Sequence, residues 1–223
     1  MDTAVITGAS RGLGLALARE LARREWRLVI DARGAEALEA ARAELAERTE
    51  VVALAGDVAD PGHRRALVAA AGARIDLLVN NASALGPSPQ PQLADYPLDV
   101  LEHVYRVNVL APLALVQLAL PALGTVLNIT SDAAVEPYAG WGGYGSSKAA
   151  LEQVTRVLAA EHPELRVLAV DPGDMNTRMQ QEAFPDEDVS DRPPPEASVP
   201  GLLALIDGGA ASGRYLAREL ATA

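Results

Sequence analysis

The sequence predicts a doubly wound α/β fold, a mostly parallel sheet of six or seven strands with helices on both faces, built as one domain from residues 1–223. Three observations predict it. Short apolar runs alternate with longer helical stretches along most of the chain. The runs are continuous and do not alternate with polar residues, so both faces of each strand are covered. A glycine-rich turn joins the first run to the first helical stretch, as a tight strand-to-helix crossover requires.

In chain order, residues 3–7 form a first strand and 13–24 a helix. Residues 27–31 are a second strand and 35–48 a helix rich in alanine and glutamate. A third strand at 51–54 precedes a helix at 63–71, and a fourth at 75–79 precedes one long helix at 98–120. A fifth strand at 125–129, a helix at 144–161 and a sixth strand at 166–170 follow. A short run at 214–216 closes the set. Residues 83–97 and 184–201 are proline-rich and irregular, and 178–201 is placed as a substrate lid.

A chain of 223 residues suits one sizeable core. The net charge of −11 argues against nucleic acid or an anionic membrane as partner. No cysteine is present, so disulfides and thiolate chemistry are excluded. His63, His103 and His162 lack ligand spacing, so no metal is expected. Arg23, Arg24 and Arg27 read as a solvated helix end. Residues 109–127 carry no charge, yet Pro112, Gln117, Pro121 and Gly124 fit a buried helix and strand better than a membrane span. No basic leader precedes the first strand, and the expected location is the cytoplasm.

The turn reads Thr7-Gly8-Ala9-Ser10-Arg11-Gly12-Leu13-Gly14. Gly8 permits the tight turn, Gly12 close approach of a pyrophosphate, and Gly14 packing of helix on sheet. The free N–H groups of the helix start then face phosphate oxygens.

Tyr144-Gly-Ser-Ser-Lys148 opens a helix, and residues four apart share a face. A nearby ammonium is expected to lower the phenol pKa toward neutrality and fit it for proton transfer. Of the 19 lysines and arginines only Lys148 is a lysine, which suggests a need for a compact ammonium. Ser131 leaves the end of the fifth strand, where a hydroxyl can polarise a carbonyl. Asn108 sits in an apolar helix, where its amide needs a partner.

Together these residues resemble the short-chain dehydrogenase/reductase family, from residue 3 to about 178. The glycine spacing matches its loop, and Asn108, Ser131, Tyr144 and Lys148 match its catalytic tetrad. The family's Asn-Asn-Ala-Gly motif reads Asn80-Asn81-Ala82-Ser83 here, with serine replacing glycine. Asp57 and Val58 resemble the segment beside adenine; Pro172, Gly173 and Thr177 resemble the contact to the nicotinamide carboxamide. The resemblance implies a Rossmann fold and an NADP(H)-dependent oxidoreductase acting on a carbonyl or alcohol. Tyr144 would be the acid or base. Lys148 would tune it and hold the ribose, Ser131 orient the carbonyl, and Asn108 hold a relay water. The resemblance also implies a homodimer or homotetramer, paired through the helices at 98–120 and 144–161.

For the cofactor, Asp31-Ala32-Arg33 offers both an acid for ribose hydroxyls and an arginine for a 2′-phosphate. The family's NAD-selecting acid falls at Ala32, and Arg11 and Arg33 match its NADP positions, so NADP is expected ahead of NAD. Trp141, Tyr138, Met175, Met179 and Phe184 are candidates for an apolar substrate pocket. Two other readings stand: a nucleotide-sensing regulatory protein without turnover, and a family enzyme of another reaction such as epimerisation or dehydration.

Overall fold

A computed structural model describes residues 1–220. Seven strands form one sheet: β1 (Thr3–Ile6), β2 (Arg27–Ala32), β3 (Val51–Ala55), β4 (Ile75–Asn80), β5 (Leu123–Ile129), β6 (Arg166–Asp171) and β7 (Gly213–Leu216). Their order is β3-β2-β1-β4-β5-β6-β7, and every pair is parallel. The order reverses between β1 and β4. In such sheets the crevice for ligands opens beyond the carboxyl ends of the strands at that switch point.

Successive strand residues feed opposite layers, which is why the runs are apolar throughout. Ile6, Leu28, Ile30, Leu77, Val79, Leu127 and Leu168 join one core cluster. Val5, Val29, Leu78, Val126 and Val167 join the other. The first layer is closed by α1 (Gly12–Arg23), α2 (Ala35–Leu45) and α8 (Val199–Asp207). The second is closed by α3 (Pro61–Ala71), α5 (Ala111–Ala119) and α6 (Gly142–Glu161). In α1 the buried Leu13, Ala16, Leu17 and Leu21 recur at helical spacing and form its sheet-facing stripe. In α3, Asp60 accepts bonds from the backbone N–H groups of Gly62 and His63, with Pro61 in the first turn.

The structure corrects the expected elements in three places. The single helix expected at 98–120 is α4 (Leu98–Tyr105), a π-helical turn at Arg106–Leu110, and then α5. The helix expected to start at Tyr144 starts at Gly142. The segment taken as an irregular lid contains α7 (Arg178–Ala183), a 3-10 turn at Pro195–Ser198 and the start of α8. Val199 and Leu202 of α8 are core residues, so the far end of that segment is part of the main packing. A short α9 (Ala217–Leu220) follows β7.

Candidate active site

The loops after β1, β4, β5 and β6 meet at the carboxyl edge of the sheet. The first two are tied together. Asn81 Nδ2 donates to the carbonyls of Thr7 (2.8 Å) and Gly8 (3.1 Å). The Thr7 hydroxyl accepts the N–H groups of Asn81 and Ala82, both at 3.0 Å. Asn81 thus braces the glycine turn. Gly8 has φ +69°, and a Cβ on Gly14 would stand 2.6 Å from both Asn81 Nδ2 and the Gly8 carbonyl oxygen. A Cβ on Gly12 would have Thr177 Cγ2 as its neighbour, at 3.8 Å, so the loops after β1 and β6 face one another there.

Arg11 precedes α1 and makes no side-chain cap, which leaves the N–H groups of the first turn uncapped. Arg11 and Arg33 are exposed and carry no ion pair among the described residues. Ser10 and Leu13 lie beside them, half-buried and buried. Asp31, by contrast, is 1% exposed and already engaged. Its Oδ1 accepts the Gly8 N–H at 2.7 Å, and its Oδ2 lies 3.0 Å from His63 Nε2. Both carboxylate oxygens of Asp31 are thus tied into the fold, one to the glycine turn and one to α3. Asp57 accepts the Ala59 N–H at 2.8 Å, which turns the chain after β3 and buries Val58.

On the other side of the crevice a buried polar chain fixes β4, β5 and α6. Asn80 donates to Asn128 (2.7 Å), and Asn128 to Thr155 (2.8 Å). Lys148 is 2% exposed, donates to the Ile129 carbonyl at 2.8 Å, and lies 5.5 Å from the centre of the Tyr144 ring. Burial pulls its pKa down from 10.5 to about 8. Asn108, in the π turn, bonds the loop after β4: Oδ1 accepts from Ala84 N (2.7 Å) and Ser83 Oγ (3.2 Å). Its Nδ2 donates to the Ala84 carbonyl and Ser147 Oγ, both at 2.9 Å. The amide is fully used there and makes no bond to Lys148.

Tyr144 is buried among Leu85, Ala133, Trp141, Met179 and Ala183. The hydroxyls of Ser83 and Ser131 favour its phenolate. The expected lowering of its pKa is not found. Burial pushes the phenol up and outweighs the two hydroxyls, and Asp171 and Asp132 add to the rise. Ser131 itself donates to Asp132 (2.9 Å) and accepts the Ala133 N–H. Gly173 N donates to Asp171 (2.9 Å), Pro172 O accepts from Ser198, and Thr177 caps α7.

Of the pocket candidates, Trp141 meets Tyr144 edge-to-face (ring centres 5.8 Å apart) and Phe184 at a tilt (5.6 Å), with Met179 packed against the same cluster. Tyr138 is exposed and bonded to Asp132, and Met175 packs against the core cluster of the first layer, so neither joins that wall. Two residues had escaped the sequence reading. His63 gave no signal because its partner lies 32 positions away. Ser83 was visible only as a departure from glycine.

The family model for short chain dehydrogenases matches residues 2–188. The chain belongs to the short-chain dehydrogenase family. This short-chain dehydrogenase is 36% identical to mouse sepiapterin reductase over 197 residues, 79% of this chain and 76% of that one. It is 38% identical to serine 3-dehydrogenase of Agrobacterium fabrum over 181 residues, 77% and 71% of the two chains. Among solved structures it matches an alcohol dehydrogenase of the archaeon Thermococcus sibiricus, complexed with 5-hydroxy-NADP. The TM-score there is 0.87 at 27% identity, covering 97% of this chain and 95% of that one.

Proposed function

We propose that this short-chain dehydrogenase reduces a carbonyl compound, or oxidises the corresponding alcohol, with NADP(H). The observation that carries the reading is Tyr144: a buried phenol with Lys148, the one lysine of the chain, 5.5 Å from its ring centre, at the edge where the glycine turn lies. The crevice fits a dinucleotide. The uncapped start of α1 offers N–H groups to a pyrophosphate, and Arg11 and Arg33, exposed and without an ion pair among the described residues, offer guanidiniums to a 2′-phosphate. Asp57 and Val58 would border the adenine; Asn81 and Ala82 would line the middle of the crevice. Pro172, Gly173 and Thr177 would face the carboxamide.

When bound, NADPH supplies the hydride. The chain's residues manage the proton. Burial keeps the phenol protonated at neutral pH, so Tyr144 holds a proton ready for the substrate oxygen. Ser131 turns its hydroxyl to the same oxygen and polarises it. Lys148, with a pKa of about 8, carries a positive charge at neutrality that opposes the cost of a phenolate. Asn108 holds the loop that carries Ser83. The wall of Trp141, Phe184 and Met179 favours a substrate with an apolar portion.

Tyr144→Phe should remove turnover of a panel of aldehydes and ketones while NADPH binding, followed by fluorescence, changes little. Near wild-type turnover would sink the assignment. Failure to bind NADPH or NADH would favour a structural role. Leu98 on α4, Leu110 in the π turn, Leu118 on α5 and Val157 on α6 are exposed apolar residues, through which we further propose a homodimer or homotetramer. Light scattering would read the mass.

A further inference from the structure

We propose that Arg214, on β7, is a positioning residue that locks the Ser131 backbone, the helix of Tyr144 and Lys148, and the turn at Gly173 to one another. The inference rests on the functional reading above. It adds a residue from outside 2–188, the span that matches the family model.

Strand β7 pairs with β6 so that Arg214 lies opposite Ala169, two residues before Asp171. From there one guanidinium reaches three elements. Its Nε donates to Glu152 Oε1 on α6 at 2.9 Å, and its Nη2 to Asp171 Oδ2 on β6 at 3.2 Å. Nη2 also reaches the carbonyl of Ser131, after β5, at 3.5 Å. Both carboxylates pass the constraint on. Glu152 Oε1 accepts the hydroxyl of Thr130, the neighbour of Ser131, at 2.8 Å. Asp171 Oδ1 accepts the Gly173 N–H at 2.9 Å.

The demand for this cation is high. Glu152 and Asp171 are both buried, and a buried carboxylate without a partner is strongly disfavoured. Among the described residues Arg214 is the one cation ion-paired with either of them. Lys148, one turn before Glu152 on α6, gives its bond to the Ile129 carbonyl. Burial pushes the Asp171 carboxyl up, and the Gly173 N–H and the Arg214 charge oppose the rise. A planar fork suits acceptors on two different elements, which the single tip of a lysine would not hold in the same way. Without it, α6, the chain after β5 and the Gly173 turn lose their common anchor. The start of α1 follows β1, which three strands separate from β7, and does not depend on that anchor.

The test compares wild type with Arg214→Ala for NADPH binding by fluorescence and for turnover of benzaldehyde, counted per NADPH-binding site so that misfolded chains do not enter. NADPH affinity should stay within about threefold. The fluorescence enhancement at saturation should be lost, because the turn proposed to face the carboxamide is no longer held. Turnover per site should fall about tenfold to a hundredfold, as misplacement of reacting groups costs. Millimolar guanidinium chloride should restore both, and sodium chloride neither. Should Arg214→Ala fail to fold, Asp171→Asn cuts one arm only. Its amide oxygen can still accept the Gly173 N–H, Glu152 stays paired, and the same two losses are expected. A folded variant with wild-type enhancement or wild-type turnover per site overturns this inference and leaves the functional reading standing. So does a loss in Arg214→Ala that guanidinium leaves unrestored. Turnover that Tyr144→Phe leaves intact overturns the functional reading instead.

Discussion

Asp31 and His63 form a buried pair under the glycine turn, with Oδ2 3.0 Å from Nε2, while the other carboxylate oxygen holds the Gly8 N–H. The pair welds β2 and α3 to the turn after β1. Asp31→Ala would orphan a buried imidazole and a turn N–H, at a cost of about 1–3 kcal/mol. Because the effect passes through the turn, affinity for NADPH and NADH should fall together. Thermal unfolding and paired fluorescence titrations check this. A loss confined to NADH would mean that Asp31 touches a ribose.

Arg33→Ala should act oppositely. It is exposed and has no ion pair among the described residues, so stability should change by no more than about 0.5 kcal/mol. Affinity for NADPH should drop about tenfold to a hundredfold, as expected for a lost arginine–phosphate bond, with NADH binding unchanged. An unaltered NADPH preference would remove Arg33 from the site.

Lys148 sets function against stability. Its folded pKa of about 8 lies below the ordinary 10.5. Between those values the unfolded chain holds a proton that the folded chain does not. Stability from this group therefore rises with pH through that window, and the full penalty stands below it. Lys148→Met should stabilise the protein at pH 7 by about 1–3 kcal/mol and flatten that rise, while turnover is lost. Denaturant melts at several pH values read both effects. A destabilised variant would show that the bond to the Ile129 carbonyl outweighs burial of the charge.

Gly14→Ala drives a Cβ to 2.6 Å from the Gly8 carbonyl oxygen and from Asn81 Nδ2, both held in place by their own bonds. The expected cost is about 1–3 kcal/mol, with dinucleotide binding weakened as α1 is pushed off the turn. Gly34→Ala is the control. Nothing lies within 4 Å of its Cβ position, and its effect should stay within about 0.5 kcal/mol. Equal behaviour of the two variants would contradict the packing account.

The strands and the glycine turn were legible because their signals are local. A buried parallel strand must be apolar throughout, and a tight turn must admit Gly8 at φ +69°. The break at 106–110 was not legible. Its residues are ordinary helix formers, and only Asn108 within an apolar run hinted that the backbone changes pitch. The helix α8 was hidden by Pro200 and Gly201 inside its first turn, where proline is tolerated. The direction of the Tyr144 shift could not be read from its spacing to Lys148. The outcome depends on how deeply the phenol lies and on Asp171, which comes from a different strand.

The π turn has a consequence for how the chain tolerates length changes. There the Ala111 N–H reaches back five residues to the Arg106 carbonyl, so the segment holds one residue more than a uniform α-helix would. That surplus rotates α5 by roughly a third of a turn relative to α4, about 100°. It lets α4 lie along α6 while α5 settles on α3 and the sheet. A deletion of one residue within 106–110 would restore a regular helix and keep every side chain of Ser131, Tyr144 and Lys148. It would nonetheless swing Asn108 away from the loop at 83–84, so this site is protected by phase as much as by composition.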